Sequence, residues 1–221
     1  MAIRHHAYGF APEAYLAALR TACVAGGAAH PEALRAHAAA IVQGADAAAR
    51  MILEYLRYDD EWWHPQTIGS GVPQWLEISL IPHLRPLPSL SHLEPHSYFV
   101  LDRVLPTTGW PKADVDLLIR GESLESLPRT LGDPLLAPWF RHFRQHTGWM
   151  DRASVSRLAA ALDGVEDSFR HPSTLQIGAL ADWQARSLTD RERAISEAFA
   201  DATEMLRRAE KEALAVLLLF E

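Results

Sequence analysis

The chain has 221 residues, 48% hydrophobic and 22% charged, a balance that suits one compact globular domain and excludes a wholly disordered chain. Twenty-eight acidic against 21 basic residues give a formal charge of −7. Phosphate binding normally shows as a basic excess, so no nucleic-acid partner is expected, and a single cysteine excludes a disulfide framework.

At the start of the chain His5, His6, Pro12 and Glu13 interrupt any secretory apolar run. The longest apolar stretch, Ala213 to Phe220, is far short of the roughly 20 residues of a membrane span. A cytoplasmic protein with no membrane contact is expected. Only Lys112 and Lys211 are lysines among the basic residues, and alanine is abundant, a composition that suits a bacterial source.

Alanine crowds the first fifty residues and is absent from Met51 to Leu101, where prolines collect instead. Helical ends around an irregular, proline-rich middle follow from that contrast. Pro12 to Val24 reads as a helix stopped by Gly26-Gly27. Cys23, among small apolar neighbours, reads as a packed thiol rather than a nucleophile. From Pro31 an apolar stripe runs through Leu34, Ala38, Ile41, Ala45, Ala48, Ile52 and Leu56, which predicts one helix of about 23 residues.

The acidic and aromatic run Asp59-Asp60-Glu61-Trp62-Trp63 follows. Aromatics anchor interfaces and acids steer cationic partners, so these five residues are the candidate partner-binding surface. Adjacent carboxylates on a helix diverge by about 100°, which argues against their converging on one metal ion. Trp75 to Ile81 alternates, with Leu76, Ile78 and Leu80 on one side and Glu77 and Ser79 on the other, and reads as a strand. Pro82 to Pro95 is a connector, and its Ser91-His92-Leu93-Glu94-Pro95-His96 segment is pre-stiffened for display. Ser97 to Val104 is a second strand or a short helix.

A helix opens after Gly109-Trp110-Pro111, with Asp114 and Asp116 in its first turns, and closes at Gly121. Asp133-Pro134 caps another that is expected to reach His146. On it His142 and His146, four apart, face one way and can share a metal ion, with His92, His96, Asp151 or His171 as a third ligand. Arg141, Arg144 and Arg152, near Trp149, form the one basic grouping, read as surface ion pairs. Helices are expected from Asp151 to Leu162 and from Thr174 to Arg186. Thr189-x-x-Glu192 reads as a capping box, and after it Ile195, Phe199, Ala202, Leu206, Ala209, Ala213 and Val216 keep four-three spacing. The last residues either continue that helix or leave it as an apolar strand.

The fold expected is mainly α: a compact multi-helix domain over residues 1–221, with a proline-rich middle and room for a small two-stranded β element, α+β being the alternative. No glycine-rich phosphate loop, nucleophile elbow or cysteine pair is present. The function expected is a protein-binding one, an immunity-protein or antitoxin-like inhibitor with no cofactor. The alternative is a small enzyme using His142 and His146, which leaves a divalent metal open as cofactor.

Overall fold

The computed structural model describes residues 5–55, 71–90, 97–141, 147–166 and 187–220. The protein is mainly α with a small β component. Strand β1 is His5–Phe10, and helix α1 (Pro12–Cys23) follows with proline at its first turn, where a missing N–H costs nothing. Its buried residues Pro12, Tyr15, Leu16, Leu19 and Cys23 make one helical stripe. Gly26-Gly27 then turns a two-residue hairpin between β2 (Val24–Ala25) and β3 (Ala28–Ala29).

The long alanine stripe is not one helix. It divides into α2 (Pro31–Gly44) and α3 (Ala47–Tyr55). Ala45 is extended (φ −62°, ψ 123°), and the Asp46 carboxylate accepts the Ala49 N–H at 2.8 Å, a fresh N-terminal cap. Gly44, with poor helix propensity, supplies the weak point. Ala48, expected inside, is exposed.

The segment read as a strand is helix α4 (Val72–Leu80), extended by a 3₁₀ turn at Ile81–His83. Its alternating pattern misled because the helix is buried nearly all round, Glu77 and Ser79 included, at 4% and 1% exposure. Ser79 Oγ is satisfied inside by the Leu76 carbonyl at 2.7 Å.

Strand β4 (Arg85–Pro86) is followed by α5 (Ser97–Val104), which settles that segment as a short helix. Helix α6 (Lys112–Arg120) ends at Gly121 (φ +69°), and β5 is Glu122–Ser123. Two short helices follow, α7 (Leu127–Thr130) and α8 (Ala137–Phe140). The helix expected to reach His146 therefore stops at Phe140, and by Thr147 the chain is in strand β6 (Thr147–Met150). Helix α9 (Arg152–Asp163) is capped by Asp151, whose Oδ1 accepts the Ser154 N–H at 2.7 Å. The expected helix at 174–186 lies outside the described residues. Helix α10 (Leu188–Lys211) begins one cap earlier than read. Ser187, not Thr189, accepts the Asp190 N–H at 3.1 Å and donates to its carboxylate at 2.7 Å. The chain then leaves as strand β7 (Ala215–Phe220).

The chain divides into two compact units. The first comprises Met1–Gly9, Pro86–Glu122 and His146–Glu221, the second Phe10–Arg85 and Ser123–Gln145. Three of the four crossings fall inside strands β1, β4 and β5. At these three crossings, among the described residues, the chain passes between the units within a strand and not through a linker.

The first unit is built on a five-stranded sheet of order β4-β1-β7-β6-β5. β7 is central, with strands on both edges, and the full burial of Val216, Leu217 and Leu218 shows that both its faces are covered. It pairs antiparallel with β6, Gly148 opposite Leu218 and Met150 opposite Val216. Ala7, Met150, Val216 and Leu218 join one apolar core with α5, α6, α9 and α10. Gly148 and Gly121 let two backbones cross. A Cβ on Gly148 would collide with the Arg120 carbonyl oxygen, and one on Gly121 would lie 2.5 Å from Trp149 N.

In the second unit α2 packs on α1 and α4, α4 on α8, and α3 on the 3₁₀ turn at Ile81–His83. Leu19, Leu34, Leu76, Leu80 and Phe140 are among its fully buried side chains.

Candidate functional site

The partner-binding candidates Asp59, Asp60, Glu61, Trp62 and Trp63 lie outside the described residues. So do His142 and His146, and the His92, His96 and His171 offered as further ligands. The shared-face argument for His142 and His146 required a helix through both. Helix α8 ends at Phe140 and β6 begins at Thr147, and the residues between 141 and 147 lie outside those described. Among the described residues no group of three or more histidine, cysteine or acidic side chains is placed to hold a metal ion. Of the basic grouping, Arg141 belongs to the second unit, and Trp149, buried in β6, and Arg152 belong to the first. Arg144 lies outside the described residues.

Many of the described cations are engaged with the chain's own acids. Lys112 Nζ donates to Asp102 at 2.7 Å and to Asp116 at 2.9 Å, Arg157 to Asp114 at 2.7 Å, and Arg207 to Asp163 at 2.5 Å. These are solvent-exposed pairs, which water screens and which contribute little to stability. Each joins a cation to the chain's own acids and leaves the net charge of −7 as it is.

Arg20 Nε donates to Asp133 Oδ2 at 2.5 Å, with Asp133 buried and Arg20 half exposed. Burial alone would raise the Asp133 carboxyl. The Arg20 hydrogen bond and the backbone N–H groups of Leu136 and Leu135 outweigh it and hold the group below the usual carboxylate range.

A second concentration of chemistry was not anticipated from the sequence. The Tyr15 hydroxyl lies 3.1 Å from the Leu76 carbonyl oxygen, to which it donates, and 3.2 Å from Ser79 Oγ. Its ring meets His83 edge-on at 5.6 Å and Phe140 at 6.3 Å. Burial drives the Tyr15 hydroxyl well above its ordinary range, against the Ser79 hydrogen bond and with help from Glu77 and Cys23. Burial likewise raises the Cys23 thiol, which suits the packing role expected of it and not a nucleophile. His37 on α2 is lowered by burial, and His83 by burial and then by His37.

Tyr15, His37, Glu77, Ser79 and His83 thus come from three helices and a turn of one unit. The one trace of this in sequence is His37, beside Ala38 in the buried stripe. Glu77 and Ser79 were hidden by the strand reading, which turned them outward. With Tyr15 and Cys23 both held protonated, the group supplies no activated nucleophile. It is a packed polar layer that holds two half-buried imidazoles and the buried carboxyl of Glu77.

Ahead of the acidic and aromatic run in sequence, α3 carries Met51, half exposed at 50%. Among the large apolar side chains described, only a few stand out so far, Leu188 and Phe99 being others. No helix among the described residues is long and apolar enough to cross a membrane. Comparison with known proteins finds no matching family model, no matching curated protein and no matching solved structure.

Proposed function

We propose that this chain is a protein-binding module, an immunity-protein or antitoxin-like inhibitor. It engages a cationic protein partner through Asp59, Asp60, Glu61, Trp62 and Trp63 in a bacterial cytoplasm. The observation that carries the reading is the run itself: three successive acids abutting two tryptophans in a chain of net charge −7. Acids in such a run speed encounter with a basic surface, and tryptophans supply the desolvated contact that slows dissociation. Two structural facts support it. Lys112, Arg157 and Arg207 are held by acids elsewhere in the chain. The helix leading toward the run carries the half-exposed Met51, a side chain suited to adaptable interfaces.

The test is cross-linked capture from the native cell with three baits: wild type, D59N/D60N/E61Q and W62A/W63A. The expected result is one partner of basic charge, held by wild type at low salt, weakened by the charge variant and lost by the tryptophan variant. A partner retained equally by all three baits would overturn the assignment. The metal-enzyme alternative rests on the four-residue spacing of His142 and His146 alone. Stoichiometric divalent metal in untagged protein, removed by His142→Ala, would put it in place of the binding reading.

A further inference from the structure

The polar layer of the second unit combines features that rarely coexist in a packed core. α4 is buried on nearly every side, yet carries Gln74, Glu77 and Ser79 inward. Gln74 Oε1 and Trp75 Nε1 are buried and make no hydrogen bond. Buried polar atoms without partners lower the cost of opening the helix that holds them, because water satisfies them once it is opened. Against this helix packs α2, carrying His37, and directly after it comes the turn carrying His83. His83 in turn lies edge-on against Tyr15 of α1, whose hydroxyl is tied to α4. Two imidazoles therefore sit where three helices meet.

We propose that the α2–α4 layer of the second unit is an acid-responsive element, which loosens when His37 and His83 take up protons while the helical layer of the first unit stays closed.

The charged and titratable surroundings are these. α1 brings Tyr15 and Cys23, both neutral, with Arg20 engaged by Asp133 and Glu13 exposed. α2 itself carries Glu32 and Arg35, paired with each other at 3.7 Å on the outside. α3 brings Arg50, which donates to the Ala45 carbonyl at 3.1 Å. α4 brings Glu77, the one acid buried in the layer. Helix α8, also packed on α4, has no ionisable residue.

The direction follows from proton linkage. In an opened chain a histidine titrates near 6.5. In the closed layer burial, and for His83 also His37, holds the imidazoles lower. The open form thus binds more protons below about pH 6.5, and acidification favours opening. A second proton is resisted more than the first, because the two charges repel. Helices α5, α9 and α10 of the first unit contain no histidine of their own, so they serve as the internal reference for the pH step.

Hydrogen exchange of the full-length protein at pH 7.5 and 5.5, corrected for intrinsic chemistry, reads the two units separately. The expected result is exchange roughly tenfold faster at pH 5.5 in α2 and α4 peptides, one pKa step's worth, and unchanged exchange in α5 and α10. H37Q/H83Q should abolish the acceleration. Exchange in α2 and α4 that ignores pH, or an acceleration that survives in H37Q/H83Q, overturns the proposal. Should that variant not fold, imidazole NMR titration of wild type decides. Midpoints of both histidines below 6.5, with amide shifts of α2 and α4 moving in step, support it. Midpoints at or above 6.5 overturn it.

Discussion

Gly148→Ala tests the backbone crossing on which the sheet of the first unit depends. The new methyl group would land on the Arg120 carbonyl oxygen, with the Arg120 carbonyl carbon 2.7 Å and Gly121 Cα 3.1 Å away. All three are backbone atoms, so no side-chain rotation relieves the contact. Separation is restored only if β6 retreats by roughly the length of a covalent bond, about 1.5 Å. That retreat pulls Gly148 away from Leu218, its partner in the central strand. Overpacking costs about 1–3 kcal/mol. Losing one or two ladder hydrogen bonds adds about 1 kcal/mol each. The sum is about 2–5 kcal/mol, a large share of the 5–15 kcal/mol that holds a typical domain. For a chain of this size it lowers the melting temperature by about 10 °C. Thermal unfolding followed by near-ultraviolet circular dichroism, with Trp149 in the affected strand, measures it. Gly109→Ala is the control. Gly109 has φ +90° but open space around its absent side chain, so its alanine carries only the left-handed penalty, about 1–2 kcal/mol. If Gly148→Ala proves no more destabilising than Gly109→Ala, the close-crossing argument is wrong.

Ala213→Gly should stabilise by about 1 kcal/mol, because Ala213 holds φ +53° and glycine adopts that conformation freely; a lowered urea midpoint would contradict this. Tyr15→Phe should cost only about 1 kcal/mol, since Ser79 Oγ still donates to the Leu76 carbonyl, and a loss above ~3 kcal/mol in urea titration would mean the hydroxyl holds more than these two partners. Asp133→Ala should cost about 1–2 kcal/mol at pH 7, through the lost Leu136 N–H contact at 3.2 Å and a partly screened Arg20 pair. The Asp133 carboxyl is depressed in the fold, so its contribution is complete above about pH 4 and fades as pH falls through the folded value; a wild-type-to-variant gap equally wide at pH 2 would refute the assignment.

The parts of the fold that were legible are those where a local signal agrees with its surroundings. Proline at the first turn placed α1 and α2, and Asp151 placed α9, because capping is a property of a few adjacent residues. The parts that were missed turn on competition between neighbours. The alanine stripe satisfies one long helix, yet Asp46 offers a new cap beside Gly44, and the second start wins. Alternation of Leu76, Ile78 and Leu80 satisfies a strand as well as a helix buried all round, and only the neighbours α2 and α8 decide between them. The candidate site shares this limit. Tyr15, His37 and His83 lie far apart in sequence and meet only through that unforeseen helix.

The C-terminal switch from helix to strand shows the same competition at a single residue. Apolar spacing continues through Ala209, Ala213 and Val216, so periodicity alone extends α10 to the end of the chain. The chain instead closes the helix with two bonds, Leu214 N–H to the Ala209 carbonyl at 2.9 Å and Ala213 N–H to the Glu210 carbonyl at 3.0 Å. This is the glycine-type ending with alanine in the left-handed position, at a cost of about 1–2 kcal/mol. What offsets that cost lies downstream. As helix, Leu217, Leu218 and Leu219 would point three ways and could not all be buried on one face. As the central strand they are covered on both faces, with Leu217 and Leu218 fully buried. At about 1.5–3 kcal/mol for each side chain so covered, burial outweighs the strained alanine. The strand is therefore dictated by the sheet that receives it, and glycine at position 213 should strengthen the ending without altering where the helix stops.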